Sequence, residues 1–263
     1  MERMRSAERI EDALSAEQRA VMARVLAEEE ARREHVVVYL SGAHAYGFPS
    51  PDSDLDLKAI HVAKTEELLG FEIPPPTADR AEIIEGVEID YTSNELAHAL
   101  AGILGGNGNF LERVLGRMTA MASPLLGDLR GLARRSLSRR LHRHYRGFAQ
   151  NQLRFLEKEP TAKKLLYVLR TTTTGIHLLV TGELEADLTR LMDRYDLADA
   201  AALIESKRAG LDPGLLDAWR PRVDALFARL DEARETSALP EEPENEREVR
   251  DWLPAVRRAK LGA

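Results

Sequence analysis

Residues 35–42, HVVVYLSG, limit the fold more than any other segment. Five consecutive apolar residues, three of them β-branched, suit a strand covered on both faces in the middle of a sheet. Such a strand needs neighbours on both edges and helices to cover it. DLDLKAIHVA, from Asp54, alternates and reads as a second strand. AEIIE and VEIDY flank Gly86 as a hairpin or as adjacent strands. GFEIPPPTADR, with three consecutive prolines, is expected to be loop.

The helices follow from period and caps. Residues 16–33 carry a helical period behind Ser15 and Gln18, a capping box. Thr92 and Glu95 are expected to open NELAHALAGIL, which stops at Gly105-Gly106. Beyond that no strand signal is convincing. Helices are expected after Ser123-Pro124, at 138–157, at 162–180, and from Asp212-Pro213 to about 235. ETSALPEEPENERE reads as a solvated acidic linker, and VRDWLPAVRRAKL as a helix docking through Trp252 and Leu253. The expected fold class is α+β: a small mixed β-sheet domain over 1–120 with an N-terminal helix, then an all-helical domain over 121–263.

Composition removes several functions. There is no cysteine, which excludes a disulfide scaffold, a thiolate metal site and a cysteine nucleophile. The charged opening MERMRSAERIEDALSAEQ has no apolar signal core, and no run reaches the ~18 apolar residues of a spanning helix. A soluble cytoplasmic protein without membrane contact is expected. The net charge of -7 opposes a generic nucleic-acid coat but leaves room for a local basic groove.

Asp54 and Asp56 carry the chemistry. Two residues apart on a strand, they share one face while Leu55 and Leu57 take the other. Carboxylates that close repel unless a cation lies between them, and hard oxygen-seeking ions such as Mg²⁺ suit that place. Asp90 in VEIDY adds a third carboxylate if its strand is a neighbour; Glu88 shares its face. Upstream, Gly42 ends the first strand, where backbone N–H groups can approach a phosphate. A lone D-x-D is commonly turn chemistry, as SPDSD allows. The ordered conjunction of strand, glycine turn, D-x-D and later Asp is what points to a metal–triphosphate.

These residues resemble the DNA polymerase β-type nucleotidyltransferase superfamily. Its signature places Gly-Ser or Gly-Gly after a strand, D-x-D about a dozen residues on, and a third Asp later. The stretch GAHAYGFPSPDSDLDLKAI, with Ala45, Tyr46, Gly47 and Ser53, is similar to the RNA repair pathway DNA polymerase β family. GGNGNFLERVL, with Asn107, Asn109 and Glu112, and AKKLLYVLRTTTTGIHLLVTGELE are similar to later segments of that family. The resemblance covers about residues 35–210. Ala43 departs from the usual Ser or Gly and cannot donate a side-chain hydrogen bond.

The resemblance implies a polymerase β-like palm and two Mg²⁺ (or Mn²⁺) ions about 3.5–4 Å apart, held by Asp54, Asp56 and Asp90. It implies transfer of an NMP from an NTP to an acceptor hydroxyl, an RNA end by preference, with release of pyrophosphate. Gly42, Ala43 and Ser53 would meet the nucleotide. Lys163, Lys164, Tyr167 and Arg170 in the helical half would line a cleft for its phosphates, three of them sharing a helical face at 163, 167 and 170. His44, Tyr46, Asn107 and Asn109 are candidate substrate contacts. Residues 134–154 hold seven arginines and no acid, and Arg139, Arg143 and Arg146 are candidates for an RNA groove. Two alternatives stand: a transferase acting on a protein or small molecule, and a nucleotide-binding regulatory module that Ala43 favours.

Overall fold

The computed structural model describes residues 10–207 and 213–261. Among these residues, backbone contacts separate a sheet unit (10–45, 49–136 and 243–261) from a helical unit that contains Tyr46–Phe48, 137–207 and 213–242.

The sheet unit begins with α1 (Ile10–Ala13) and α2 (Ala16–Glu30). Ser15 and Gln18 form the expected capping box, each side chain accepting from the other's backbone N–H. The helix ends at Glu30 rather than 33, because Arg32 and Arg33 fold back onto the buried Glu29 carboxylate. The elements β1 (Glu34–Leu40), α3 (Gly42–Ala45), β2 (Leu55–Val62), α4 (Thr65–Leu69), β3 (Thr77–Ile84) and β4 (Val87–Glu95) follow. Then come α5 (Leu96–Leu104), α6 (Gly108–Leu115), β5 (Thr119–Ala122) and α7 (Leu125–Arg135). The five strands form one mixed sheet in the order β3-β4-β2-β1-β5. β1 is interior, and Val36 to Leu40 are almost wholly buried, as their β-branched, apolar character requires.

The strands differ from the expectation in three places. β3 starts at Thr77, so only the segment through Pro76 is loop. β4 continues through Thr92, Ser93 and Asn94, which pair with Lys58, Ala59 and Ile60 of β2. Thr92 therefore does not open a helix; Glu95 alone caps α5, accepting from Ala97 N at 2.6 Å. The four-residue β5, TAMA, carries no strand signal of its own and exists because β1 pairs with it. The β3–β4 hairpin closes through Glu85 and Gly86, both with positive φ (51° and 82°), as a tight two-residue turn demands.

The helical unit comprises α8 (Leu141–Lys158), α9 (Ala162–Thr181), α10 (Leu188–Leu191), α11 (Ala200–Glu205) and α12 (Pro213–Thr236). The expected start of the last at Asp212 lies outside the described residues. α9 is the core of this unit. It is capped by Thr161, ends at Gly182 in the left-handed region (φ 73°), and buries even Arg170 and Thr171–Thr174. Gly175 lets α8 come close: a Cβ there would lie 2.6 Å from Cβ of Tyr145. Residues 237–242 do not form a free linker. Ser237 is buried and donates to Leu179 O at 2.5 Å, and Arg139 donates to Ser237 O, Leu239 O and Glu241.

The C-terminal helix α13 (Glu246–Ala259) returns to the sheet unit. It docks through Val249 and Val256, two turns apart, while Trp252 and Leu253 stay half-buried. Arg257 holds it at both ends of its own residue: its guanidinium lies 3.2 Å from Glu95, and its carbonyl accepts from Thr65.

The sheet unit contains two buried histidines on adjacent strands, paired in register, His35 and His61. His35 Nε2 is 2.7 Å from the Tyr91 hydroxyl, and His61 Nδ1 is 2.7 Å from Ser93 Oγ. Burial, reinforced by the Arg33 guanidinium, pushes His35 down to about 4 and His61 below the usual imidazole range. The unfolded chain takes up protons near pH 6.5 that the folded rings refuse. Stability is therefore expected in full above pH 6.5 and to fall steadily towards pH 4. Urea unfolding across that range checks it, and His35→Gln is expected to flatten the slope.

Candidate active site

Ser53 builds the turn before the aspartates. Its Oγ accepts from Ser50 N at 2.8 Å, and its N–H donates to Ser50 O, closing a turn around Pro51-Asp52. Gln18 of α2 holds the Ser53 carbonyl at 3.0 Å. The Ser53 hydroxyl thus serves the loop that presents Asp54.

β2 begins one residue after Asp54. Leu55 and Leu57 are fully buried, and Asp54 and Asp56 are half-exposed on the opposite side, as the alternation predicts. β2 and β4 run parallel, with Asp56 directly opposite Asp90. Residues opposite one another in a parallel pair point to the same face, so the Asp56 and Asp90 carboxylates share it. Glu88 lies before the β2–β4 pairing begins and is exposed. Asp90 is the register neighbour of Asp56.

Gly42 explains the glycine of the motif. It has φ +64°, and a Cβ there would fall 1.8 Å from Asp56 Oδ2. The Asp56 carboxylate therefore lies where any other residue would put its side chain. Ser41 N donates to Asp56 O at 2.7 Å and fixes the strand end beside it. Ala43 and His44, in the short α3, are both buried.

Lys58 is the residue that the sequence reasoning passed over. It lies two places after Asp56 on the same face. Its ammonium is 2.8 Å from Asp90 Oδ2 and donates to Asp90 O at 3.3 Å. The same alternation that singles out Asp54 and Asp56 reaches Lys58. Among the described residues no three acidic or imidazole side chains converge closely enough to enclose an ion. The donor set nonetheless fits a hard divalent cation: two carboxylates in register, a third two residues away, all oxygen, beside a glycine that leaves them room.

In the helical unit, the Tyr46–Phe48 segment is clamped. Arg170 is 2 % exposed and lays its guanidinium 3.4 Å over the Tyr46 ring. Tyr167 meets Tyr46 and Phe48 edge-on, at 5.8 and 5.6 Å between centroids. Lys207 donates to Phe48 O at 2.7 Å, and Leu188 N to Tyr46 O at 3.0 Å. Gly47 (φ +83°) leaves space for Asp187, whose Oδ1 would lie 1.9 Å from a Cβ there. Arg170 and Tyr167 are thus brought together with Tyr46. Lys163 is exposed, and Lys164 pairs with Glu159 at 2.6 Å. His144 stacks on Phe148; burial, and then the Arg170 charge, pushes it down to about 4. Gly47 was visible as a motif residue, but Asp187 and Lys207 carried no signal in the sequence, since their partners are distant along the chain.

The remaining candidates are mostly engaged. Asn107 caps α6, accepting from Asn109 N at 3.0 Å, and Asn109 is exposed. Arg139 binds the carbonyls of 237–239 and Glu241, and Arg140 pairs with Glu242. Arg146 lies 3.2 Å from Asp231 and 4.4 Å over the Phe227 ring. Arg143 is exposed.

The RNA repair pathway DNA polymerase β family matches residues 18–254, nearly the whole chain. This protein belongs to that family. An uncharacterized protein of Methanocaldococcus jannaschii is 30% identical over 220 residues, covering 79% of this chain and 88% of that protein. A solved nucleotidyltransferase-like protein from Exiguobacterium sibiricum is 11% identical with a TM-score of 0.32, covering 81% of this chain and 73% of its own. No helix among the described residues is long and apolar enough to cross a membrane.

Two substitutions test the placements. Gly42→Ala forces a left-handed conformation on an alanine and collides with Asp56, so a loss of at least about 2 kcal/mol is expected in chemical denaturation. Arg170→Ala removes the buried cation from the Tyr46 face and is expected to cost about 2 kcal/mol. Arg170→Lys is expected to recover little of it, because an ammonium does not stack as a planar guanidinium does.

Proposed function

We propose that this protein is a divalent-metal-dependent nucleotidyltransferase that moves an NMP from an NTP to an acceptor hydroxyl, with an RNA end as acceptor. The observation that carries this is the register of Asp56 against Asp90, beside Asp54 and the cramped Gly42. Family membership supports the reaction class, and the family's description supports RNA.

Asp54, Asp56 and Asp90 would hold Mg²⁺ or Mn²⁺, which when bound would neutralise the triphosphate and acidify the attacking hydroxyl. Asp90, the most exposed of the three carboxylates, would take the proton on an Oδ atom. The acceptor oxygen attacks the α-phosphorus, its bond to the bridging oxygen breaks, and pyrophosphate leaves. Gly42 gives its side-chain space to the Asp56 carboxylate, and the buried Ala43 would contribute only its N–H. Of the candidate cations, Lys163 and Arg143 have exposed side chains that an incoming polyanion could meet. Ala43 is also the observation behind a second reading, a nucleotide-binding regulatory module with little turnover.

The test uses α-labelled ATP, CTP, GTP and UTP in turn, with Mg²⁺ and a cell extract, followed by RNase and protease. Asp54-dependent label in RNA is expected. Asp54→Ala is expected to cut it at least about 10³-fold, the scale of several kcal/mol of charge stabilisation. Label in protein would replace the acceptor. Tight NTP binding without any label would favour the regulatory module.

A further inference from the structure

The Lys58 ammonium has three N–H donors, and three acceptors surround it: Asp90 Oδ2 at 2.8 Å, Asp90 O at 3.3 Å and Thr92 Oγ1 at 3.5 Å. Its side chain is 20% exposed, against 54% for Asp90. The strand pairing makes this arrangement inherent, because Lys58 lies opposite Thr92 just as Asp56 lies opposite Asp90. The lysine therefore reaches one step back along β4 to the carboxylate. Without it, the Asp56 and Asp90 carboxylates would face each other across neighbouring strands with no cation from β2.

We propose that Lys58 is a positioning residue: a built-in counter-ion that occupies Asp90 and competes with the divalent cation for it. This rests on the reading of Asp54, Asp56 and Asp90 as a metal site. The magnitude makes Lys58 a displaceable counter-ion rather than a permanent block. An ion pair this open to water contributes little, on the scale of surface pairs, and a doubly charged ion held by several carboxylates outcompetes it. Lys58 thereby keeps the carboxylates aligned on one face before loading and lowers their affinity for metal. Once released, its ammonium remains on the face where an NTP phosphate would lie.

The experiment is Mn²⁺ binding to the full-length apoprotein, read by electron paramagnetic resonance without nucleotide or turnover. Circular dichroism confirms that each variant is folded. Lys58→Met is expected to bind Mn²⁺ about three- to tenfold more tightly than wild type, and Lys58→Arg, which keeps the charge, to stay near wild type. In an Asp90→Asn background the gain from Lys58→Met is expected to vanish, which a merely structural lysine would not produce. If wild type binds through Asp54 and Asp56 but Lys58→Met binds equally or more weakly, the counter-ion role is overturned and the metal site stands. If neither wild type nor Lys58→Met binds Mn²⁺ in a manner dependent on Asp54 and Asp56, both readings fall.

Discussion

The parallel pairing of β2 with β4 is the constraint on which the site depends. Every other neighbouring pair in the sheet is antiparallel. Parallel strands require a crossover, and here the chain leaves β2, passes through α4, runs along the sheet edge as β3, and returns as β4. That route puts Asp56 opposite Asp90 although they are far apart in sequence. A slip of one residue would turn Asp90 to the core face and Ile89 to the solvent face. The full burial of Ile89 and Tyr91 resists that slip, so the apolar face of β4 keeps the carboxylate in place.

Two glycines carry a second constraint. Gly42 and Gly47, both with positive φ, each leave room for a carboxylate where a Cβ would be: Asp56 for one, Asp187 for the other. The same short segment thus has one end in the sheet unit and the other in the helical unit, each end shaped around an acid. In the helical unit the segment is further held by a buried cation on an aromatic face. Arg170 therefore acts inside the protein. Its near-complete burial sets it apart from an open phosphate ligand, and the aromatic rings around it explain how the charge is tolerated.

The strands β1 and β2 were legible because burial on both faces, or on one, writes itself into local alternation. The shared face of Asp54 and Asp56 was legible for the same reason, and Gly42 because a strand end followed by glycine is a backbone signal; Asp90 stood level with Glu88 until the register of β4 on β2 set it opposite Asp56. β5 was not, since four residues of TAMA become a strand only by pairing with β1. The extension of β4 through Asn94 was hidden by Thr92, which caps helices as readily as it lines strands. Lys58 lay within the alternation of β2 and was passed over. Its importance comes from Asp90 lying across the ladder, a fact of pairing that no local window contains. Trp252 looked like an anchor for its size, yet the two-turn spacing of Val249 and Val256 sets the docking face of α13.

The arginine-rich stretch shows how a charge run is divided by the fold. Arg135 pairs with Glu248 within the sheet unit. Arg139, Arg140 and Arg146 pair with Glu241, Glu242 and Asp231 within the helical unit. Seven free arginines on a single strand of RNA would give a salt dependence of about −5 in log–log slope, at about −0.7 per phosphate neutralised. With these four already matched to carboxylates, counter-ion release falls to a few phosphates at most. Arginine forks that hold backbone carbonyls, as Arg139 does, cannot be lent to a phosphate without undoing the 237–241 segment. Arg134, Arg143 and Arg154, the exposed arginines of the stretch outside those pairs, are then the ones a polyanion would meet first.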